Sequence, residues 1–312
     1  MNNNFDDSKD ELNVNYFFSH ILRYKKLIFI ITTIFAVFSI FYALSLPNYF
    51  KSEALLRLSD TSDTEFNSSG ASGLGSLASL AGINIGSSGD KVNKHQLAVE
   101  TVKSREFLKS ILIEKDILAN IVAAKDFDFK QNKVIFNKEI YDPERELWLD
   151  KSRKPSSPPN HISTHKIYVD MVKISHNKRT GFLEISVEHF SPFFAKEFLE
   201  IIISSLNSQM RTKDFKSSQD ALDYLLEVSK QNNKLELQFA VNALVEKELQ
   251  RQMLTDIRDE YFVEVIDPAF VPIQKSKPSR SRICISITFL GLFFGLLVSI
   301  VYEIFVRKNS DV

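Results

Sequence analysis

The chain has 312 residues, room for about two ordinary domains, with 39 Lys and Arg against 39 Asp and Glu and a formal charge of zero. That balance leaves no footprint for a nucleic-acid ligand and no polybasic membrane tether. The single cysteine, Cys284, lies in an apolar run, so the remainder holds neither a disulfide nor a thiolate metal site.

Residues 1–15 are polar and acidic, without the basic start or small-residue cleavage site of a removable signal peptide. With the aromatic and basic residues up to Lys26 they are expected to form an N-terminal tail, 1–26. Leu27 to Leu46, LIFIITTIFAVFSIFYALSL, is uncharged and long enough to cross a bilayer as a helix. Arg23, Lys25 and Lys26 precede it, so the positive-inside tendency holds the N-terminus in the cytoplasm and sends residues 47–282 across. A second span must bring the chain back. Ile283 to Val301, ICISITFLGLFFGLLVSIV, meets that need, giving a span over 283–302 and a cytoplasmic tail over 303–312. Lys275, Lys277, Arg280 and Arg282 outnumber Arg307 and Lys308 across this span, against the rule, but long translocated loops largely escape it and the first span usually dominates.

Between the spans, Tyr49 to Leu58 reads as a strand with Ala54, Leu56 and Leu58 on one face and Glu53 and Arg57 on the other. Asp60 to Asp90 is rich in Ser and Gly around an apolar island, LGSLASLAGINI, either a surface loop or a segment that packs against a neighbouring subunit. Lys91 to Ala124 carries apolar residues at three- and four-residue steps and predicts one helix. Phe127 to Pro159 shows no period and closes on the loop KPSSPP. Tyr168 to Ile174 and Phe182 to Val187 predict a β-hairpin with one wet face.

Ser191 and Pro192 then stand where an N-cap and a first helical residue belong, and helical character runs to about Ser229, nearly 60 Å at 1.5 Å per residue. Such a rod must reverse to reach the second span. Gln231 to Asn233 is the turn, Asn233 with Glu236 fits a capping box, and Val241, Leu244, Val245, Leu249, Met253 and Ile257 form the returning stripe toward a strand at Phe262 to Ile266. The expectation is an α+β fold: two transmembrane helices flanking a domain with a small membrane-proximal mixed sheet and a long helical hairpin arm over 191–260. The arm's apolar stripes are either satisfied within the hairpin or shared with other subunits, with Phe239 and Leu244 the candidate oligomer contacts. Pro268, Pro272 and Pro278 stiffen the junction to the second span. Within that span Gly291 and Gly295 are four apart, a spacing that lets helix backbones approach or is merely tolerated.

No catalytic, cofactor or metal site is expected. GxxxxGK[ST] does not occur, the Gly-rich stretch lacks the lysine of a phosphate loop, and no serine or cysteine sits in a GxSxG setting. His161 and His165 are four apart but fall in what reads as a proline-rich loop, with no third ligand placed by spacing. Trp148, the only tryptophan, is either a packing anchor or a sugar-stacking platform.

LVEKELQRQMLTDIRDEYFVEVIDPAFVPIQKSKPSRSR before a Gly-containing span, VEHFSPFFAKEFLEIIISSLNSQMR, PNYFKSEALLRL, the LASLAG island and SREFL, in this order between two spans, resemble the chain-length determinant proteins, or polysaccharide co-polymerases, of bacterial envelopes. The resemblance covers nearly the whole chain, is closest at the C-terminus and weakest over Phe127 to His165. It implies the kinase-free, O-antigen type: a non-enzymatic homo-oligomer of the inner membrane whose periplasmic domain sets polysaccharide length, with membrane lipid, a polysaccharide polymerase and a lipid-linked polysaccharide as partners. The rivals are a capsule or exopolysaccharide export co-polymerase and, from another class, a two-span periplasmic ligand sensor.

Overall fold

A computed structural model describes residues 23–59, 90–113, 115–231, 238, 241–246, 249, 252–253 and 260–310. The Ser/Gly island, Asn233, Glu236 and Phe239 lie outside the described residues. The chain divides into two units: Met1–Pro47 with Lys277–Val312, and Asn48–Ser276.

The smaller unit holds the two apolar helices, α1 (Lys25–Ser45) and, late in the chain, α7 (Arg280–Ser310). Both are long and apolar enough to cross a membrane, each with a mean hydropathy of 2.5 in its candidate span. Tyr24 meets Tyr302 edge-on at 5.9 Å, Phe35 meets Phe294 at 5.8 Å, and Cys284 Sγ lies 3.8 Å from the Ser39 carbonyl oxygen. Partner numbers fall on α7 as they rise on α1, so the helices are antiparallel.

The larger unit is built on β1 (Tyr49–Leu58), whose buried residues alternate along the strand as the sequence pattern requires. After it come three helices, α2 (Asp90–Lys103), α3 (Arg105–Ile111) and α4 (Lys115–Ala123). One continuous helix was the expectation here. The chain breaks instead at Ser104, an extended residue (φ −75°, ψ 153°) whose hydroxyl caps α3 by accepting from Phe107 N.

Short strands follow: β2 (Ala124–Asp128) paired with β3 (Lys133–Phe136), and β4 (Tyr141–Asp142), β5 (Leu147–Leu149) and β6 (Pro155–Ser156) in a second small sheet. The stretch that shows no period in the sequence is thus two miniature sheets. The histidine pair is also not in a loop: α5 (His161–Met171) is a helix capped by Asn160, whose side chain accepts from Ser163 N. His165 Nε2 is 2.7 Å from the Lys103 carbonyl oxygen, and among the described residues no group of three or more His, Cys, Asp or Glu is placed to hold a metal. The β-run expected from Tyr168 therefore begins only at β7 (Val172–His176). Tyr168 is claimed by the helix because its ring is buried and its hydroxyl donates to the Val102 carbonyl at 2.8 Å.

β8 (Leu183–His189) completes the hairpin and leads through Ser191, whose hydroxyl accepts from Phe194 N, into α6 (Pro192–Gln231), a helix of 40 residues. The returning residues described between 238 and 253 are helical. Gln252 donates to Gln219 at 3.0 Å and the Tyr261 hydroxyl donates to Asp214 at 2.9 Å, so the return runs antiparallel to α6 as a hairpin. β9 (Val263–Asp267) and β10 (Lys275–Lys277) then join β1.

The main sheet runs β10-β1-β8-β7, with β9 also on β1. The β1–β8, β1–β9 and β7–β8 pairs are antiparallel, registered by Ala54 opposite Ile185 and Ile174 opposite Ile185. The expected wet face of the hairpin carries exposed Lys173, Ser175 and Glu184, with Ser186 alone buried on it, while Leu183, Ile185 and Val187 are buried on the other face. The core joins these strand residues to Val102 of α2, Phe107 and Leu108 of α3, Tyr168 of α5 and Phe198, Leu199, Ile202 and Leu206 of α6. Burying each large aliphatic side chain contributes about 1.5–3 kcal/mol. A second, small cluster joins Ala119, Ala123 and Tyr141 to Phe136, Ile140 and Trp148.

Candidate functional site

In the larger unit a groove of about 420 Å³ opens between α4, the turn that links β4 to β5, and the first turns of α6. Its walls follow from helix periodicity. On α4, Ile117 and Ile121 belong to the core, and Asp116, Ile117, Ala119 and Asn120 border the groove, with Asp116 and Asn120 four residues apart on one helix face. On α6, Phe194, Glu197 and Ile201 recur at three- and four-residue steps and form the opposite wall. The floor is Tyr141, packed at 5.4 Å on Phe136 and 5.0 Å on Trp148. Trp148 is therefore a partner of the floor, half-buried beneath it.

The turn is held by local bonds. Asp142 Oδ1 accepts from Glu144 N at 3.0 Å, and Glu146 adopts a left-handed φ of 52° that returns the chain into β5. Behind α4, His189 is buried and bridges two elements: its Nδ1 accepts from Ser191 N at 3.0 Å, so its Nε2 carries the proton and donates to the Asn120 carbonyl at 3.0 Å. Burial holds this imidazole neutral, lowering its pKa to about 4 against the raising effect of the two backbone bonds.

Two polar groups at the groove have no partner. Asn120 Nδ2 donates to the Asp116 carbonyl, while its Oδ1 is buried without a donor. Tyr141 is only 8% exposed and its hydroxyl makes no hydrogen bond. Burial, followed by the charges of Glu146, Asp116 and Asp142, raises its pKa, so the phenol stays protonated and available as a donor. Carboxylates dominate this surface: Asp116, Glu146 and Glu197 line it, and none of them is engaged by a described cation.

The residues singled out in the sequence lie elsewhere. Gly291 and Gly295 both face α1. A Cβ at Gly291 would collide with the Phe35 side chain, reaching its Cγ at 2.7 Å, and one at Gly295 would meet the Ile28 backbone at 3.4 Å. Pro268 is exposed, Pro272 is buried, and Pro278 precedes α7. On the returning arm Leu244 is 41% exposed and Leu249 and Met253 are also exposed, whereas Val241 is buried. On α6, Leu222 is buried while Tyr224 and Leu226 are exposed. The hairpin thus does not consume all of its own apolar surface.

Asn207 is a residue the sequence reading missed. Buried on α6, it accepts from Phe262 N and Val263 N, each at 2.8 Å, and donates to the Val263 carbonyl at 3.0 Å. It docks the chain returning from the arm at the start of β9. The signal was its phase: Asn207 falls four residues after Ile203 and eight after Leu199, a polar residue at a core position.

Residues 10–114 match the family model Wzz, chain length determinant protein. That span covers α1, β1, α2 and α3, the N-terminal third, whereas the sequence resemblance is closest at the C-terminus. Among solved structures, the chain is similar to a full-length bacterial polysaccharide co-polymerase, with 12% identity over 94% of this chain and 98% of that chain and a TM-score of 0.38. A fragment of WzzB, a polysaccharide co-polymerase from Salmonella Typhimurium, is similar at 12% identity over 74% of this chain and 100% of that chain, with a TM-score of 0.23. No curated protein matches.

Proposed function

We propose that the chain, whose residues 10–114 match the chain length determinant family model, is a non-enzymatic polysaccharide co-polymerase of the bacterial inner membrane that sets the length of a lipid-linked polysaccharide, O antigen foremost. The family match carries this reading. Support comes from the pair of antiparallel apolar helices, which delivers both ends of the intervening domain to one side of a bilayer. The basic residues Arg23, Lys25 and Lys26 at the start of the first span favour both termini in the cytoplasm and the domain in the periplasm. Apolar side chains left open on the arm supply surface for a homo-oligomer, and that assembly acts as a scaffold for the polymerase and the growing glycan.

Deletion of the gene tests it through a silver-stained lipopolysaccharide ladder. Polymer is still made, with a shifted or broadened length distribution that the intact gene restores. Complete loss of polymer, or a ladder identical to the parent, overturns the reading.

A further inference from the structure

We propose that the groove between α4, the β4–β5 turn and α6 is a binding subsite for sugar residues that carry hydroxyls and no anionic group. The proposal rests on the polysaccharide reading above and names the glycan chemistry the domain would accept.

Three properties of the groove converge on that ligand. Its volume of about 420 Å³ lies within the range of about 300–1,000 Å³ typical of small-ligand clefts. Its charged groups are all acceptors, the carboxylates of Asp116, Glu146 and Glu197. An acceptor-rich wall calls for a ligand that donates many hydrogen bonds, and sugar hydroxyls do so without carrying charge. Of its side-chain donors, Asn120 Nδ2 is already bonded to the Asp116 carbonyl, whereas the Tyr141 hydroxyl, on a side chain that is 8% exposed and close enough to Asp116 and Glu146 to feel their charges, has no protein partner. A ligand oxygen that accepts from the Tyr141 hydroxyl gains a hydrogen bond without breaking one within the protein.

Competing ligands fit less well. Uronates, phosphates and sialic acids would bring negative charge against three carboxylates. A metal ion needs ligands converging on one point, and no such group of three exists among the described residues. Phe136 and Phe194 add apolar surface for the C–H faces of a sugar ring.

The test uses the full-length protein in lipid nanodiscs and two fluorescently end-labelled probes read by anisotropy. One probe is the surface polysaccharide released from the producing cell by mild acid; the other is an oligogalacturonate of matched length. Wild-type protein is expected to bind the first, and Tyr141→Phe and Glu146→Gln to bind it about tenfold more weakly. Thermal melting of Tyr141→Phe should match wild type, because the lost hydroxyl holds no partner. Absence of wild-type binding, or equal binding by both variants, overturns the subsite. Equal or tighter binding of the oligogalacturonate overturns its preference for uncharged sugars. The two readings fail separately: a ladder altered by gene deletion with binding insensitive to Tyr141 removes only the groove, and an unaltered ladder with Tyr141-dependent binding removes only the length-setting role.

Discussion

Replacing Asn207 by leucine removes the side chain that docks β9 onto α6 while keeping the volume of the buried site. Three hydrogen bonds disappear, from Phe262 N, Val263 N and to the Val263 carbonyl. Each contributes about 0.5–1.5 kcal/mol net, and a backbone group that stays dry after losing its partner adds about 1–3 kcal/mol. Val263 is fully buried, so at least its groups have no ready access to water. A loss of about 3–4 kcal/mol follows, which for a unit of this size lowers the melting temperature by about 6–16 °C, at about 2–4 °C per kcal/mol. The assay is thermal unfolding of the full-length protein in detergent followed by far-UV circular dichroism, with amide hydrogen exchange read at Phe262 and Val263. Asn207→Asp, which keeps both acceptor bonds, should restore protection at the two amides even if its charge lowers stability. A loss below about 1 kcal/mol in Asn207→Leu, with unchanged protection at those amides, would refute the reasoning.

Acid should weaken the larger unit through His189. Its folded pKa of about 4 lies below an ordinary value near 6.5, so the unfolded chain takes up the proton first; stability is intact above about pH 6.5 and falls by about 3 kcal/mol as the pH drops to about 4, and His189→Gln should flatten that part of a stability–pH curve. Gly291→Val drives side-chain carbon into Phe35 and should weaken the α1–α7 pair by about 1–3 kcal/mol, measured as lost cross-linking between cysteines placed at Tyr24 and Tyr302; unchanged cross-linking refutes the contact. Leu244→Glu alters an exposed position and should leave melting unchanged while reducing oligomer size in light scattering, and an assembly of undiminished mass removes Leu244 from the contact.

Where a single local signal governs an element, the sequence is readable to the residue. β1 begins and ends at Tyr49 and Leu58 as the alternation requires, and Ser191 with Pro192 opens α6 because cap and first turn are encoded side by side. The apolar spans also stand out as uncharged runs, but the helices do not keep their bounds: expected over 27–46 and 283–302, they run over Lys25–Ser45 and Arg280–Ser310. Lys91 to Ala124 is different: its apolar residues stay in helical phase across Ser104, so periodicity continues where the backbone does not. The cap that breaks it, Ser104 to Phe107 N, is a sequence-local signal overridden in the reading by the longer pattern. Tyr168 failed for the opposite reason. Its neighbours favour a strand, but the bond to Val102, 66 residues away, and the Asn160 cap hold it in α5.

The groove was invisible in the sequence because no window contains it. Asp116, Tyr141 and Glu197 come from three elements, and each alone reads as a solvated charge or a stray aromatic. What assembles them is α6, whose early turns supply Phe194, Glu197 and Ile201 to the groove, whose middle supplies Asn207 to β9, and whose later turns carry Leu222 and Gln219 into the hairpin. The same 40-residue helix is thus buried on the sheet at one end and partly open at the other. Its apolar pattern answers to different neighbours at different heights, so one averaged period describes neither end. A helix under two sets of demands shows its function through residues that break its pattern. Asn207 is the clearest of these, since a polar side chain at a core position is tolerated only when something across the fold satisfies it.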